Sequence, residues 1–180
     1  MHDPPERIAT ARLVLRRPKS ADAVAKYEYS RDPAVARYMD WPPHGNLRDA
    51  LAIVERAASL WESCDEYSWV ITVKPDDRAV GNVGCRMRGH AVELGYVLSR
   101  DYWGRGYATE AARAVFEWAA AVEGVYRVWA TCDVENTASV RVLEKIGMSR
   151  EGVLRCWAIR PNIDPEVPRD ALIYAWVREA

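Results

Sequence analysis

Apolar residues in this chain change period several times, and each change marks an element. Ala11 to Arg17 alternates as a strand and ends at Pro18. Ser20 is a good helix cap, and Ala21 to Ser30 follows as a short helix. Asp32-Pro33 restarts a helix that runs to about Tyr38. Leu47, Leu51, Val54, Ala58 and Trp61 then repeat at helical spacing behind Asn46, which predicts a helix over Leu47 to about Ser63 with one face on a sheet. Glu66 to Lys74 and Ala79 to Arg88 read as strands joined by the turn Pro75–Arg78. Gly81 and Gly84 mark bulges or close backbone contact within the second of these. In the next strand Val92, Leu94, Tyr96 and Leu98 share one face, and Glu93, Gly95 and Val97 share the other.

The pattern lengthens again from about Thr109 to Val122, where Ala112, Val115, Phe116, Ala119 and Val122 form a helical stripe. Val125 to Cys132 is a strand. A right-handed crossover lays it parallel to the Glu93 strand. Asn136 caps a helix over Thr137 to Ile146, and Gly147 closes it. Met148 to Ile159 and Ala171 to Arg178 are strands around a Pro-rich loop, Pro161 to Pro168. Residues 1–9 read as a loose lead-in. The order gives one α/β domain over residues 1–180, with a mixed and mostly antiparallel sheet.

Composition adds exclusions. The 180 residues carry a formal charge of -1, so no basic nucleic-acid surface is expected. No apolar run reaches the ~18 residues that span a bilayer, and no signal-peptide core opens the chain, so no membrane partner is expected. Cys64, Cys85, Cys132 and Cys156 are scattered, with no C-x-x-C; they read as reduced and mostly packed, which suits a cytoplasmic protein. The three histidines are isolated, so no metal site is expected. The eight tryptophans read mainly as core.

The candidate chemistry lies in Glu93–Ala111, ELGYVLSRDYWGRGYATEA. A strand, a Gly-x-Gly turn and a helix start make an anion site, because the first helical N–H groups lack internal partners. A phosphate or pyrophosphate is therefore expected over residues 104 to 109. A P-loop is excluded, since no Gly-Lys-Ser/Thr is present. A dinucleotide fingerprint fits by half: Thr109 stands at the third glycine, and Asp133 lies later than the ~20 residues expected. That leaves a nucleotide-binding oxidoreductase as an alternative class.

Gly104-Arg105-Gly106-Tyr107-Ala108 resembles the acetyl-CoA pyrophosphate loop of the GCN5-related N-acetyltransferases (GNAT), Gln/Arg-x-x-Gly-x-Gly/Ala. Trp103 stands at its first position. Glu135 to Met148 resembles the same family's Asn-x-x-Ser helix followed by Glu-Lys-x-Gly. YWGRGYATEA is similar to the branch that contains the ribosomal-protein N-terminal acetyltransferases. The resemblance covers most of the chain and is most specific over Glu93–Ala111 and Asn136–Gly152. It implies a single N-acetyltransferase domain with helices on both sheet faces and a splayed parallel strand pair at the cofactor site.

The resemblance implies acetyl-CoA as cofactor, CoA as product, and direct acetyl transfer to a primary amine, either a protein N-terminus or a small molecule. Backbone groups of Val97, Leu98 and Ser99 would pair with pantetheine. The amides of Gly104, Arg105, Gly106, Tyr107, Ala108 and Thr109 would hold the pyrophosphate, and Asn136 would contact the cofactor arm or the acceptor. Glu93, a carboxylate in an apolar strand, is the expected base, with burial raising its pKa. The family's other base position falls at Thr131, and its tyrosine acid matches Leu143. Ser139, the residue used in the resembling branch, is then the expected contact to the leaving sulfur. Trp41 and His44 on a Pro-fixed loop, together with Trp157, are expected to face the acceptor. A homodimer is a further expectation, and Leu143 and Thr131 keep open a CoA-binding sensor that lacks turnover.

Overall fold

The computed structural model describes residues 4–63 and 66–179, so Cys64 lies outside the described residues. The strands are β1 (Arg7–Ala9), β2 (Leu13–Arg16), β3 (Glu66–Val73), β4 (Ala79–Arg88), β5 (Ala91–Leu98), β6 (Arg127–Asp133), β7 (Ser149–Arg160) and β8 (Asp164–Val177). The helices are α1 (Ala23–Ser30), α2 (Pro33–Ala36), α3 (Leu47–Ser63), α4 (Tyr107–Ala121) and α5 (Thr137–Lys145). All eight strands form one sheet in the order β1-β2-β3-β4-β5-β6-β8-β7. Each neighbouring pair is antiparallel except β5 and β6.

Helices cover both faces of the sheet. On one face Tyr67 and Trp69 meet Trp118 of α4 edge-on, with ring centroids 5.9 and 5.6 Å away. On the other, Ser68 and Val70 line a small cavity with Lys26 and Tyr29 of α1 and Val54 of α3. With both faces covered, β3 loses its polar alternation and reads as an apolar run. Leu13, Leu15, Tyr67, Trp69 and Ile71 are fully buried, each worth roughly 1.5–3 kcal/mol of stabilisation.

Three expectations change. Arg7–Ala9, expected within a loose lead-in, pairs with β2 as an edge strand. Helix α4 starts at Tyr107 rather than near Thr109, because Gly106 itself turns the chain with φ 78° and ψ 6°. The Pro-rich loop over 161–168 is largely strand, and β7 and β8 form one long hairpin. Gly81 and Gly84 are sites of close backbone approach. A Cβ on Gly81 would stand 2.4 Å from the Val97 carbonyl, and one on Gly84 would stand 2.8 Å from that of Tyr67.

Candidate active site

The site forms where the sheet fails to close. β5 and β6 pair only over Ala91–Glu93 with Arg127–Trp129. Beyond Glu93 the ladder stops and the strands separate, leaving backbone groups of both without a strand partner. Alternation decides which groups on β5 face this slot. The Ser99 amide donates to the Val80 carbonyl at 2.8 Å, and Val97 stands opposite Asn82, so these two residues turn their backbone groups to β4. Tyr96 and Leu98 turn theirs to the slot. Of Val97, Leu98 and Ser99, only Leu98 therefore has backbone facing it, and its carbonyl accepts the Trp103 indole N–H at 2.8 Å. Trp103 thus latches the strand end to the glycine turn.

The glycine turn that Trp103 ties to the end of β5 leads into the N-terminus of α4. Helices α2, α3 and α5 each begin with a side chain on an early amide: Asp32, Asn46 and Asn136. Helix α4 begins at Gly106 with no side-chain cap, so the amides of Tyr107, Ala108 and Thr109 have no capping group. Nothing lies within 4 Å of where a Cβ on Gly104 would sit. These features suit an anion at residues 104 to 109. The loop is held from behind. Arg12 donates from Nη1 to the Arg105 carbonyl at 2.9 Å, and Glu110 binds Arg12 in turn.

Ser139 lies on the face covered by α4 and α5. Asn136 accepts the Ser139 amide at 3.1 Å, so Asn136 acts here as the helix cap. The Ser139 hydroxyl is 2.7 Å from the hydroxyl of Tyr96. Cys132 is close enough for Ser139 to oppose the burial that pushes its thiol up to about 11. Leu143, at the position of the family tyrosine, is packed into the core. Tyr96 was read only as a core-face residue in the sequence; a tyrosine on an otherwise aliphatic strand face was the available signal.

Glu93 lies on the opposite face, with Gly95 beside it and Trp129 across the last paired rung. It is half-buried rather than buried. Among the described residues its carboxylate makes no hydrogen bond or ion pair. Arg86, opposite on β4, pairs instead with Glu66 at 2.7 Å. The Arg86 guanidinium is held above its usual range by Glu66 first and also by Glu93 and Asp40, so Asp40 shares this corner. Thr131 follows Trp129 on the same face of β6.

The loop after α2 carries Trp41 and His44. Asn162, at the tip of the β7–β8 hairpin, donates to the carbonyls of Ala36 and Trp41 at 2.6 and 2.9 Å and ties the loop down. The rings of Trp41 and His44 lie 5.2 Å apart, tilted by 48° to each other. His44 is buried, with Nδ1 unpartnered. Burial, and then the charge of Lys26, hold its imidazole below the usual range despite Asp49. Trp157 is exposed on the edge strand, where the β7–β8 register breaks between Leu154 and Ala158, and it makes no ring contact with Trp41 or His44. The sequence reading missed an anchor at the end of β6. Asp133 is buried and takes Arg169 through both oxygens at 2.7 and 3.1 Å, and Arg169 also reaches Glu135 at 3.0 Å.

The Acetyltransferase (GNAT) domain family matches residues 12–149. The uncharacterized N-acetyltransferase p20 of Bacillus licheniformis is 31% identical over 154 residues, 83% of this chain and 86% of that protein. A GNAT-family acetyltransferase from Bacillus anthracis superposes with a TM-score of 0.83 at 28% identity, over 95% of this chain and 98% of that one. The ribosomal L7/L12 alpha-N-protein acetyltransferase RimL, solved with coenzyme A, shares the fold with a TM-score of 0.82 at 19% identity, over 96% and 98% of the two chains. The domain match spans the slot, the glycine turn and α5, and the sheet has the same build as its relatives: this chain belongs to the GNAT family and is an N-acetyltransferase.

Proposed function

We propose that the chain transfers acetyl from acetyl-CoA directly to a primary amine, with Glu93 as base or water-positioning group and Ser139 as hydrogen-bond donor to the departing sulfur. The observation that carries this reading is the placement of the two residues. Glu93 stands at the last paired rung of β5 and β6 on one face of the sheet, and Ser139, on α5, reaches Tyr96 three residues further along β5 on the other face. A ligand seated where β5 and β6 part would have a carboxylate on one side and a hydroxyl on the other.

The residues present suit the donor. The α4 N-terminus and its Gly104–Thr109 turn offer amides to a pyrophosphate, and the unpaired backbone of β5 and β6 offers an added-strand seat for an amide-bearing arm. The thioester supplies an activated acetyl and a fair leaving group, so no covalent enzyme intermediate is needed. Glu93 has no partner among the described residues to compete for an incoming proton. An α-amine (pKa ~7.7–8.0) is neutral more readily than a lysine amine (~10.4), which makes a protein or amino-acid N-terminus the lighter task. The RimL name points to the same acceptor class. The free thiols of Cys85, Cys132 and Cys156 support a cytoplasmic setting.

The test begins with thermal shift against acetyl-CoA, CoA and NADH. Stabilisation by acetyl-CoA and CoA alone is expected, about 2.7 kcal/mol at 100 times Kd. A shift with NADH alone overturns the donor assignment. Turnover is then followed as free thiol released with a panel of amines and N-terminal peptides. Glu93→Gln is expected to lower kcat by about 10²-fold or more. A full rate in that variant removes Glu93 from the chemistry. Binding with no turnover on any acceptor would favour a CoA-responsive binding protein.

A further inference from the structure

Ser139 alone is a poor proton donor, and the core position that could carry a phenol on its own helix is Leu143. A phenol nevertheless reaches it, from the other side of the slot. Tyr96 leaves β5 on the face covered by α4, and its hydroxyl ends 2.7 Å from the Ser139 Oγ and 3.2 Å from the Ser139 carbonyl oxygen. Ring and helix are 43 positions apart in sequence and come together at the splay.

A phenol has one proton, so two arrangements satisfy this geometry. In the first, Tyr96 donates to the Ser139 carbonyl and the serine hydroxyl donates to the phenol oxygen. The serine proton is then turned away from any ligand. In the second, Tyr96 donates to Oγ along the shorter contact, and the serine proton is free to turn to the slot or to the nearby Cys132 sulfur. Burial pushes the Tyr96 phenol up, so it stays protonated and remains a donor. Negative charge growing in the slot favours the second arrangement, because each hydroxyl polarises the next in the chain.

We propose that Tyr96 is a positioning residue for Ser139: its hydroxyl donates to Oγ and thereby frees the serine proton to hydrogen-bond the departing thiolate. This rests on the reading of Ser139 as the sulfur's donor. No proton leaves Tyr96. The amine nitrogen bonds to the thioester carbonyl carbon and gives its proton to Glu93, directly or through water; the C–S bond breaks, its electron pair goes to sulfur, and the thiolate is held by the Ser139 O–H until solvent supplies a proton. The phenol that the family resemblance would put at Leu143 is replaced here by a phenol on the strand acting through a serine.

The experiment is a double-mutant cycle on the full chain with Tyr96→Phe, Ser139→Ala and the pair, reading kcat, KM for acetyl-CoA and thermal midpoint. Phenylalanine keeps the ring and its packing, so the midpoint is expected to move little. Tyr96→Phe is expected to lower kcat by roughly three- to tenfold, with KM for acetyl-CoA within about twofold. In the Ser139→Ala background the same change is expected to have no further effect. Ser139→Thr, which keeps a hydroxyl, is expected to recover much of the rate lost in Ser139→Ala, and to lose it again with Tyr96→Phe. A full rate for Tyr96→Phe, or an equal loss in both backgrounds, overturns the proposal. A full rate for Ser139→Ala instead removes the reading of Ser139 on which the proposal stands.

Discussion

Glu110, in the first turn of α4, closes onto Arg12 at the β1–β2 corner through three contacts. Its Oε1 accepts the Arg12 backbone amide at 2.8 Å, and its Oε2 meets Nε and Nη2, both at 2.7 Å. Thr10 adds a bond from Oγ1 at 2.6 Å. Burial opposes ionisation of Glu110, yet the bonds from Thr10 and Arg12 hold its carboxyl below the usual range. Arg12 passes the restraint on to the Arg105 carbonyl, inside the glycine turn. The corner therefore fixes the turn without occupying its amides.

Removing that anchor acts on donor binding. Glu110→Gln is expected to raise KM for acetyl-CoA by roughly tenfold, about 1.4 kcal/mol, with a smaller change in kcat. Steady-state kinetics with acetyl-CoA as the varied substrate checks this. An unchanged KM would mean that the turn holds its shape without the corner.

Gly81 lies where β4 presses on β5 at the slot. Gly81→Ala would push a methyl to 2.4 Å from the Val97 carbonyl and 3.0 Å from the Leu98 Cα, both backbone atoms that side-chain movement cannot relieve. A loss of about 1–3 kcal/mol is expected. Urea unfolding measures it. Gly95→Ala on the neighbouring strand is the control, since nothing lies within 4 Å of that Cβ.

Acid should weaken the fold in two stages. His44 is held below its unfolded value of ~6.5, first by burial, so the unfolded chain binds its proton more readily. Its share of stability is intact above ~6.5 and falls as pH drops toward the folded value. His44→Gln should flatten that limb. Asp133 follows lower down. Burial opposes its ionisation, but the Arg169 guanidinium and the Glu135 amide outweigh it and keep the carboxyl below its usual ~3.9. That contribution is present above ~3.9 and is lost as pH falls through the folded value. Asp133→Asn is expected to cost on the order of 3 kcal/mol near neutrality and to shrink the lower limb, to which Glu110 also contributes. Thermal midpoints between pH 2 and 8 separate the two stages.

Local chemistry made much of this fold legible, and pairing hid the rest. Asn46 and Asn136 cap their helices through their own side chains, so α3 and the start of α5 could be read from a few residues. Helix α4 begins two residues early because a left-handed glycine needs no capping side chain. Strand β1 is three residues long and exists because β2 pairs with it. Pro165 and Pro168 sit in β8 beyond Ala171, where β6 has ended and only β7 remains alongside, so a missing N–H is tolerated there. At the site, the strand parity of Glu93 and Tyr96 was readable. The destination of the Tyr96 hydroxyl and the pairing of Asp133 with Arg169 were not, because each partner comes from a distant segment.

The gap between β5 and β6 makes the centre of this sheet an open edge flanked by closed ladders. An open edge is normally a hazard at the border of a protein; here it lies inside the sheet, with α4 and α5 over one face. Whatever fills it acts as a guest strand. Folding and occupancy are then one equilibrium, and the amides on the slot side of Tyr96 and Leu98 should exchange with deuterium at a rate that reports how much of the population carries a guest.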